Sequence, residues 1–196
     1  MSLRTRSVNK ASVLIGLFAA VLVFPGCPFS PDNSDDDPDD VRLPERDTVA
    51  STIAYYAFVW EQRLINEYEA VLHDDYEYFV RDDDADQFPW LPPGQGWSRT
   101  TELSIAANMF DPGFVSDETS NPAVQEITME LEITDQRDLT QPAGGIEVTT
   151  NVDALVLWNA GDGASTDGRF TFVLVPDPNV PGKLQIYSQK ELALFN

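Results

Sequence analysis

The sequence predicts an α+β domain in which three N-terminal helices pack on a mostly antiparallel sheet. Helical patterns come first, over residues 47–110, and a run of strand patterns follows over 125–195. Helices followed by turn-linked strands are typical of the α+β class. Apolar residues make up 42% of the 196-residue chain, which is enough to bury the core of one domain.

The first helix is predicted to begin after Asp47, a residue type that caps helices. The segment 47–76 contains neither glycine nor proline. Apolar and aromatic side chains recur there at steps of three and four, at Ile53, Tyr56, Trp60 and Leu64. The pattern is interrupted at "INE" and resumes at Tyr68. This predicts a kink and a second, short helix.

A brief strand and a third helix are predicted next. The strand is "YEYFV" at 76–80, and the loop after it is rich in aspartate and proline. The helix covers 98–110, with Ser98 and Thr101 as candidate N-caps. Its inward residues are expected to be Leu103, Ala106, Ala107 and Phe110.

The second half of the chain has strand periodicity. In "QEITMELEIT" at 125–134 apolar residues alternate with polar ones, so one face of this strand is expected to be buried and the other wet. Further strands are predicted over 145–159, 168–176 and 183–195. Glycine, proline, asparagine and aspartate are concentrated in the connections between them.

The formal net charge of −21 excludes several kinds of partner. An acidic surface repels phosphate backbones, so no nucleic acid is expected. It also repels anionic lipid headgroups, so membrane attachment cannot come from a basic patch. The chain has one cysteine and one histidine, and its acidic runs lack the spacing of a calcium loop. We therefore expect neither a metal ion nor a cofactor.

The first 27 residues have the proportions of an export signal. A cationic leader, "MSLRTRSVNK", is followed by an uncharged segment over 11–24. That segment is shorter than the ~20 residues that cross a bilayer as a helix. Pro25 and Gly26 then break any helix. The pattern predicts a secretory signal peptide.

Gly26-Cys27 resembles the end of the lipobox of bacterial lipoprotein signal peptides. The resemblance implies that Cys27 receives a diacylglyceryl group, that the chain is cut before it and that the new amino terminus is acylated. Two or more acyl chains make a stable anchor. The expected location is the bacterial cell envelope, with the domain outside the cytoplasm and attached to a membrane by lipid. The alternatives are a plain secretory signal with an incidental cysteine and an uncleaved membrane anchor.

Three regions follow from these patterns: a signal peptide at 1–26, a linker at 27–46 and a domain at 47–196. The linker is rich in proline and aspartate and has no apolar periodicity. Like charges extend such a segment. It is interpreted as a tether that holds the domain away from the membrane surface.

The order of elements over 47–195 resembles the nuclear-transport-factor-2-like, or SnoaL-like, superfamily. The segments that carry the resemblance are "YYAFVWEQRLINEYEAVLHDDYEYF", "WSRTTELSIAANMF" and "KLQIYSQKELALF". They are similar to the superfamily's opening helices and first strand, its third helix and its closing strand. The resemblance implies a cone in which a curved sheet and the helices enclose an apolar cavity, and therefore a ligand pocket.

Six residues on or near the first and third helices are candidate pocket residues: Tyr56, Trp60, Trp90, Trp97, Arg99 and Glu102. Arg99 and Glu102 are three positions apart and can meet on one helical face. They are interpreted either as a surface ion pair or as a polar pair that grips a ligand headgroup. His73, at the predicted end of the second helix, is interpreted as a capping or surface residue. No catalytic residue is assigned.

Three functions remain open for the domain. A non-catalytic ligand-binding or assembly module, which we favour, predicts an apolar cavity with one or two polar groups. An isomerase- or dehydratase-like enzyme acting on a small apolar substrate predicts a buried Asp or Glu within reach of a Tyr. A structural protein that forms homodimers through its sheet predicts an exposed apolar patch over 145–195.

Overall fold

Three helices and six strands make up the computed structural model, which describes residues 42–81, 88, 90–92, 94–114, 123–159 and 162–192. The helices are α1 (Val49–Glu61), α2 (Ile65–Val71) and α3 (Arg99–Phe110). The strands are β1 (Leu72–Phe79), β2 (Trp97–Ser98), β3 (Glu126–Asp138), β4 (Ile146–Asn159), β5 (Asp162–Pro176) and β6 (Leu184–Leu192). The helices pack against the sheet, and the predicted α+β class is confirmed.

The predicted signal peptide, Cys27 and the predicted linker up to residue 41 lie outside the described residues. Within the described ranges, no helix is both long enough and apolar enough to cross a membrane.

The sheet joins the first strand to the last. Its order is β2-β1-β6-β5-β4-β3, and the β1–β6 pair is parallel whereas the other neighbours are antiparallel. Tyr78 on β1 is the Cα partner of Gln189 on β6. This pairing brings the first and the last long strands of the domain together beneath the helices.

The N-cap of α1 is Thr48 and not the predicted Asp47. The chain is extended at Thr48, and the Ser51 backbone N–H donates to Thr48 Oγ1 (3.1 Å). The Thr48 N–H donates in return to Ser51 Oγ (3.0 Å), which completes a capping box. Asp47 is the residue before the N-cap, and it accepts a hydrogen bond from Ser51 Oγ. The N-cap is therefore Thr48, because its side chain is the one that accepts a hydrogen bond from the first turn of the helix.

The break between α1 and α2 falls slightly before the predicted interruption at "INE". Arg63 has a positive φ of 55°, a backbone conformation that ends a right-handed helix. Its guanidinium donates to the carbonyl of Val124, just before β3 (2.9 Å). This long-range contact stabilises the unusual backbone at Arg63, and periodicity alone could not place it.

The β4–β5 hairpin is longer than predicted, because β5 begins at Asp162 and not at 168. Residues whose composition is typical of a turn are instead paired with β4: Ala164 lies opposite Val156, and Thr166 lies opposite Ala154. Gly163 fits closely there, since a Cβ atom would stand 2.5 Å from the Val156 carbonyl oxygen. Hydrogen bonding to a long partner strand thus outweighs the turn-like composition.

Strand β3 has the predicted alternation of faces. Ile127 is buried, and Met129, Leu131 and Ile133 are half-buried against the core. The intervening Glu126, Thr128, Glu130 and Glu132 are exposed. The strand continues to Asp138, beyond a register shift after Ile133.

Arg46, at the end of the predicted linker, is held against the domain. Its guanidinium donates to the carbonyls of Ala70 (3.0 Å) and Leu184 (3.2 Å) and pairs with Asp177 (3.5 Å). It also lies 5.4 Å from the centre of the Tyr55 ring. Arg46 is therefore attached to α2 and β6.

Candidate functional site

A carboxylate, Glu102, lies in the protein core. It occupies the first turn of α3 and is only 4% exposed. The Tyr68 hydroxyl on α2 donates to its Oε1 (2.6 Å), and the Trp97 indole N–H on β2 donates to its Oε2 (2.6 Å). Both oxygens therefore accept a hydrogen bond from a fixed donor. The helix N-terminus also favours a negative charge at this position.

Burial and hydrogen bonding act on Glu102 in opposite directions. Burial is the larger effect and raises the pKa of the Glu102 carboxyl above its usual value of 4.5. The hydrogen bonds from Tyr68 and Trp97 favour the ionised form and oppose that rise. A carboxyl with a raised pKa inside a protein is a common feature of binding and catalytic sites.

A second acceptor, Gln189 on β6, lies under the same helices and is 2% exposed. Its Oε1 accepts from the Tyr56 hydroxyl (2.9 Å) and, at longer range, from the Tyr76 hydroxyl (3.4 Å). We call this group the Glu102 cluster; its members are Tyr56, Trp60, Tyr68, Tyr76, Trp97, Glu102 and Gln189. Burial raises the pKa of the hydroxyls of Tyr56, Tyr68 and Tyr76.

Aromatic rings enclose the cluster. Trp60 contacts Tyr68 and Phe110 edge-on, with ring centres 5.3 and 5.1 Å apart. Tyr56 contacts Phe172 of β5 in the same way, at 5.3 Å. Such edge-to-face contacts hold the rings in defined orientations and keep water out. The polar groups therefore act in a low-dielectric setting, where hydrogen bonds and charges have stronger effects.

Trp97 and Tyr78 connect the cluster to the edge of the sheet. Their rings are nearly parallel, at 7°, with centres 4.4 Å apart. The Tyr78 hydroxyl donates to Glu191 Oε1 (2.7 Å), a second carboxylate on the last strand. The Trp97 ring also lies 6.0 Å from that of Trp90, which is 57% exposed. An aromatic series thus leads from the surface to Glu102.

Four of the six predicted pocket residues belong to the Glu102 cluster, and two lie outside it. Tyr56, Trp60, Trp97 and Glu102 are all buried in the Glu102 cluster. Trp90 lies on the surface loop. Arg99 pairs with Glu69 of α2, with 3.3 Å between charged atoms, and donates to the Glu69 carbonyl.

The predicted contact between Arg99 and Glu102 is therefore wrong. The two residues lie on one helix, but Arg99 extends along the surface to α2 while Glu102 points into the core. A spacing of three positions allowed the contact without requiring it.

His73 lies on β1 and not at a helix end, because α2 stops at Val71 and the strand starts at Leu72. Its Nδ1 accepts from the Asp75 backbone N–H (3.1 Å), and its ring is 5.3 Å from that of Tyr187.

Sequence reasoning missed three cluster residues, Tyr68, Tyr76 and Gln189, and the neighbouring hydrogen-bonded pair of Tyr78 and Glu191. One signal was present in the sequence. Tyr76 and Tyr78 are two positions apart and so lie on one face of their strand, and the same holds for Gln189 and Glu191. Their meeting depends on the parallel β1–β6 pair, which joins residues 113 positions apart. No local pattern predicts that pairing.

One row of residues on the outer sheet face is acidic. Glu130, Asp153 and Asp167 lie in register across β3, β4 and β5, and all three are exposed. The large apolar residues that are exposed in the described ranges are Leu43, Trp90, Phe114 and Val180, and none of them lies on a strand.

Neither a protein-family model nor a curated protein matches this sequence. Solved structures do resemble it. ActVI-ORFA from Streptomyces coelicolor matches 74% of this chain and 92% of its own, at 16% identity and a TM-score of 0.51. A protein assigned provisionally as a scytalone dehydratase, from Novosphingobium aromaticivorans, matches 75% and 82%, at 11% identity and a TM-score of 0.50.

A third structure, an NTF2-like protein of unknown function in nutrient uptake from Rhodospirillum rubrum, matches 76% of this chain and 99% of its own. Its identity is 11% and its TM-score is 0.50. At such identities the likeness shows the fold alone. The domain has the nuclear-transport-factor-2-like fold that the resemblance implied.

Proposed function

We propose that this is a lipid-anchored protein of the bacterial cell envelope whose domain binds a small, largely apolar ligand between its helices and its sheet. The observation that carries the binding role is the Glu102 cluster. Ligand sites are mostly apolar and contain a few well-placed polar groups. Here a carboxylate, an amide and three tyrosine hydroxyls converge inside an aromatic shell.

The contacts of Glu102 favour binding over catalysis. Both of its oxygens accept hydrogen bonds from side chains of the protein, at 2.6 Å each. A general base must approach the proton that it removes. Glu102 would first have to give up one of these short contacts. The cluster is therefore better suited to hold and orient a ligand than to exchange protons with it.

Mass spectrometry under native conditions tests the binding role. Protein purified from the organism that produces it is expected to carry a small molecule, and Glu102→Gln is expected to retain less of it. Glu130→Gln is the matched control, because Glu130 is exposed on the outer sheet face. A wild-type protein that carries no bound mass, and that no apolar compound stabilises against heat, would contradict the proposal.

The anchor is proposed on the residues around Cys27, since one thiol with two or more acyl chains gives a stable attachment. Globomycin, which blocks lipoprotein signal peptidase, should make the precursor accumulate. Cys27→Ser should leave the protein unlipidated and out of the membrane fraction. Normal processing in the presence of globomycin, together with normal processing of Cys27→Ser, would show an ordinary secretory signal instead.

One observation favours a second function, that of an isomerase- or dehydratase-like enzyme. The Tyr68 hydroxyl lies 2.6 Å from Glu102, which is the buried acid–tyrosine pair that such an enzyme requires. If the domain is an enzyme, the molecule that co-purifies with it should lose water or take up deuterium from D₂O. Glu102→Gln and Tyr68→Phe should each slow this by about 10²–10⁴-fold. A bound molecule that remains unchanged would exclude this function and leave the binding role intact.

A further inference from the structure

Trp60 differs from the other members of the Glu102 cluster in its hydrogen bonding. Its side chain lies on the inner side of α1 and is 8% exposed. The indole Nε1 is buried, and no acceptor of the described residues meets it in hydrogen-bond geometry. The Tyr56 hydroxyl oxygen lies close enough for this N–H to oppose the rise in the pKa of Tyr56, but the two atoms do not meet in hydrogen-bond geometry. Buried donors are usually satisfied, so this one requires an explanation.

The other donors around Trp60 already have acceptors. The Tyr68 hydroxyl and the Trp97 N–H both donate to Glu102, and the Tyr56 hydroxyl donates to Gln189. Among the cluster's buried side-chain nitrogen and oxygen atoms that the structure describes, the Trp60 N–H alone has no partner. An indole N–H can only donate. Whatever satisfies it must supply an acceptor.

We propose that the Trp60 N–H selects the ligand by donating to a ketone, ester or ether oxygen. This inference rests on the proposed binding function and specifies its ligand class. The ligand carries no negative charge, because the Glu102 carboxylate repels an anion in this low-dielectric interior. It carries an acceptor and needs no donor, because Glu102 and Gln189 already accept from tyrosines and Trp97. Its remaining surface is apolar, to match the aromatic rings of Tyr68 and Phe110 that lie beside Trp60.

The test compares two probes of one shape, the ketone 1-indanone and the hydrocarbon indane. The protein is the mature chain with Cys27→Ser, which keeps every described residue and carries no acyl chains. NMR then follows the four indole N–H signals, assigned by triple-resonance experiments. We expect 1-indanone to move the Trp60 signal downfield and indane to leave that signal near its free position. The signals of Trp90, Trp97 and Trp158 serve as internal controls.

Trp60→Phe removes the N–H and keeps an aromatic ring. It should weaken 1-indanone binding about five- to tenfold, as expected for one neutral hydrogen bond, and change indane binding less than about twofold. Trp158→Phe, at a half-buried strand position, should bind both probes like the parent. The wild-type signal shift tests the proposal even if Trp60→Phe does not fold.

The outcomes separate the two proposals. Preferential binding of 1-indanone with a downfield Trp60 signal supports the inference. Equal binding of both probes, or bound 1-indanone with an unmoved Trp60 signal, overturns the inference and leaves the binding function standing. Binding of neither probe contradicts the binding function itself, and the inference falls with it.

Discussion

The Tyr68 hydroxyl lies 2.6 Å from Oε1 of Glu102, and both residues are buried, at 0% and 4% exposure. This contact joins α2 to α3 through a charge-assisted hydrogen bond. It also links folding to protonation, because one partner is an acid in a low-dielectric site.

Folding stability should depend on the protonation of Glu102. Burial raises the pKa of its carboxyl above the 4.5 expected in the unfolded chain. The unfolded state therefore loses its proton first, and the free energy of unfolding should fall as pH rises from about 4.5 through the folded-state pKa. Glu102→Gln should reduce this slope. Urea unfolding between pH 4 and pH 8, with Glu130→Gln as the control for loss of one charge, measures it. Equal slopes in both variants would contradict the prediction.

Alkaline pH should destabilise the domain through the tyrosines. Burial raises the pKa of Tyr56, Tyr68 and Tyr76 above the usual 10.0, so their ionisation favours the unfolded state. The contribution of these tyrosines to stability should be complete below pH 10 and be lost above it. Ultraviolet absorbance should show these tyrosinates forming only as the protein unfolds. A smooth titration of every tyrosine in a folded protein would refute this.

Removal of the Tyr68 hydroxyl should be costly. Tyr68→Phe leaves Glu102 Oε1 buried without its donor, which costs about 1–3 kcal/mol of unfolding free energy. Tyr187→Phe is the control, because the Tyr187 side chain is only half-buried and lies against His73. Urea denaturation of the two variants gives the comparison. A loss no larger than that of the control would show that the contact contributes little.

Arg46 and Asp177 should protect the start of the domain from protease. Their side chains are 13% and 2% exposed, and Arg46 also binds two backbone carbonyls. Trypsin should therefore cut after the exposed Arg42 and spare Arg46 in the folded protein. Asp177→Asn removes the charge pair and should make the chain cleavable after Arg46. Mass spectrometry of the fragments locates each cut; early cleavage after Arg46 in the wild type would disprove the attachment.

The close packing of the β4–β5 hairpin can be tested with two glycines of one strand. A Cβ atom at position 163 would lie 2.5 Å from the Val156 oxygen and 2.6 Å from a Leu157 methyl group, whereas at 168 it would meet nothing within 4 Å. Gly163→Ala should lower the unfolding free energy by about 1–3 kcal/mol. Gly168→Ala should be neutral or slightly stabilising, since it restricts the unfolded chain. Thermal unfolding of both variants provides the measurement, and equal midpoints would contradict it.

Local patterns in the sequence determined a large part of the fold. The three- and four-residue steps through Ile53, Tyr56 and Trp60 placed α1, and the alternation in 125–134 placed β3 with its correct faces. The order of helices and strands then identified the α+β class. These features depend on periodicity within one element, which a sequence displays directly. The N-terminal leader and Cys27 likewise carry the prediction of a lipid anchor in their own composition.

Only the tertiary structure decided which side chains meet. Arg99 and Glu102 share a helix, yet one pairs with Glu69 on the surface and the other binds Tyr68 and Trp97 in the core. Gln189 joins Tyr56 because the last strand lies beside the first. Hydrogen-bond partners are set by long-range packing and desolvation, which act between elements far apart in the chain. The sequence alone therefore determined the elements and the predicted location in the cell, and three-dimensional packing determined the site.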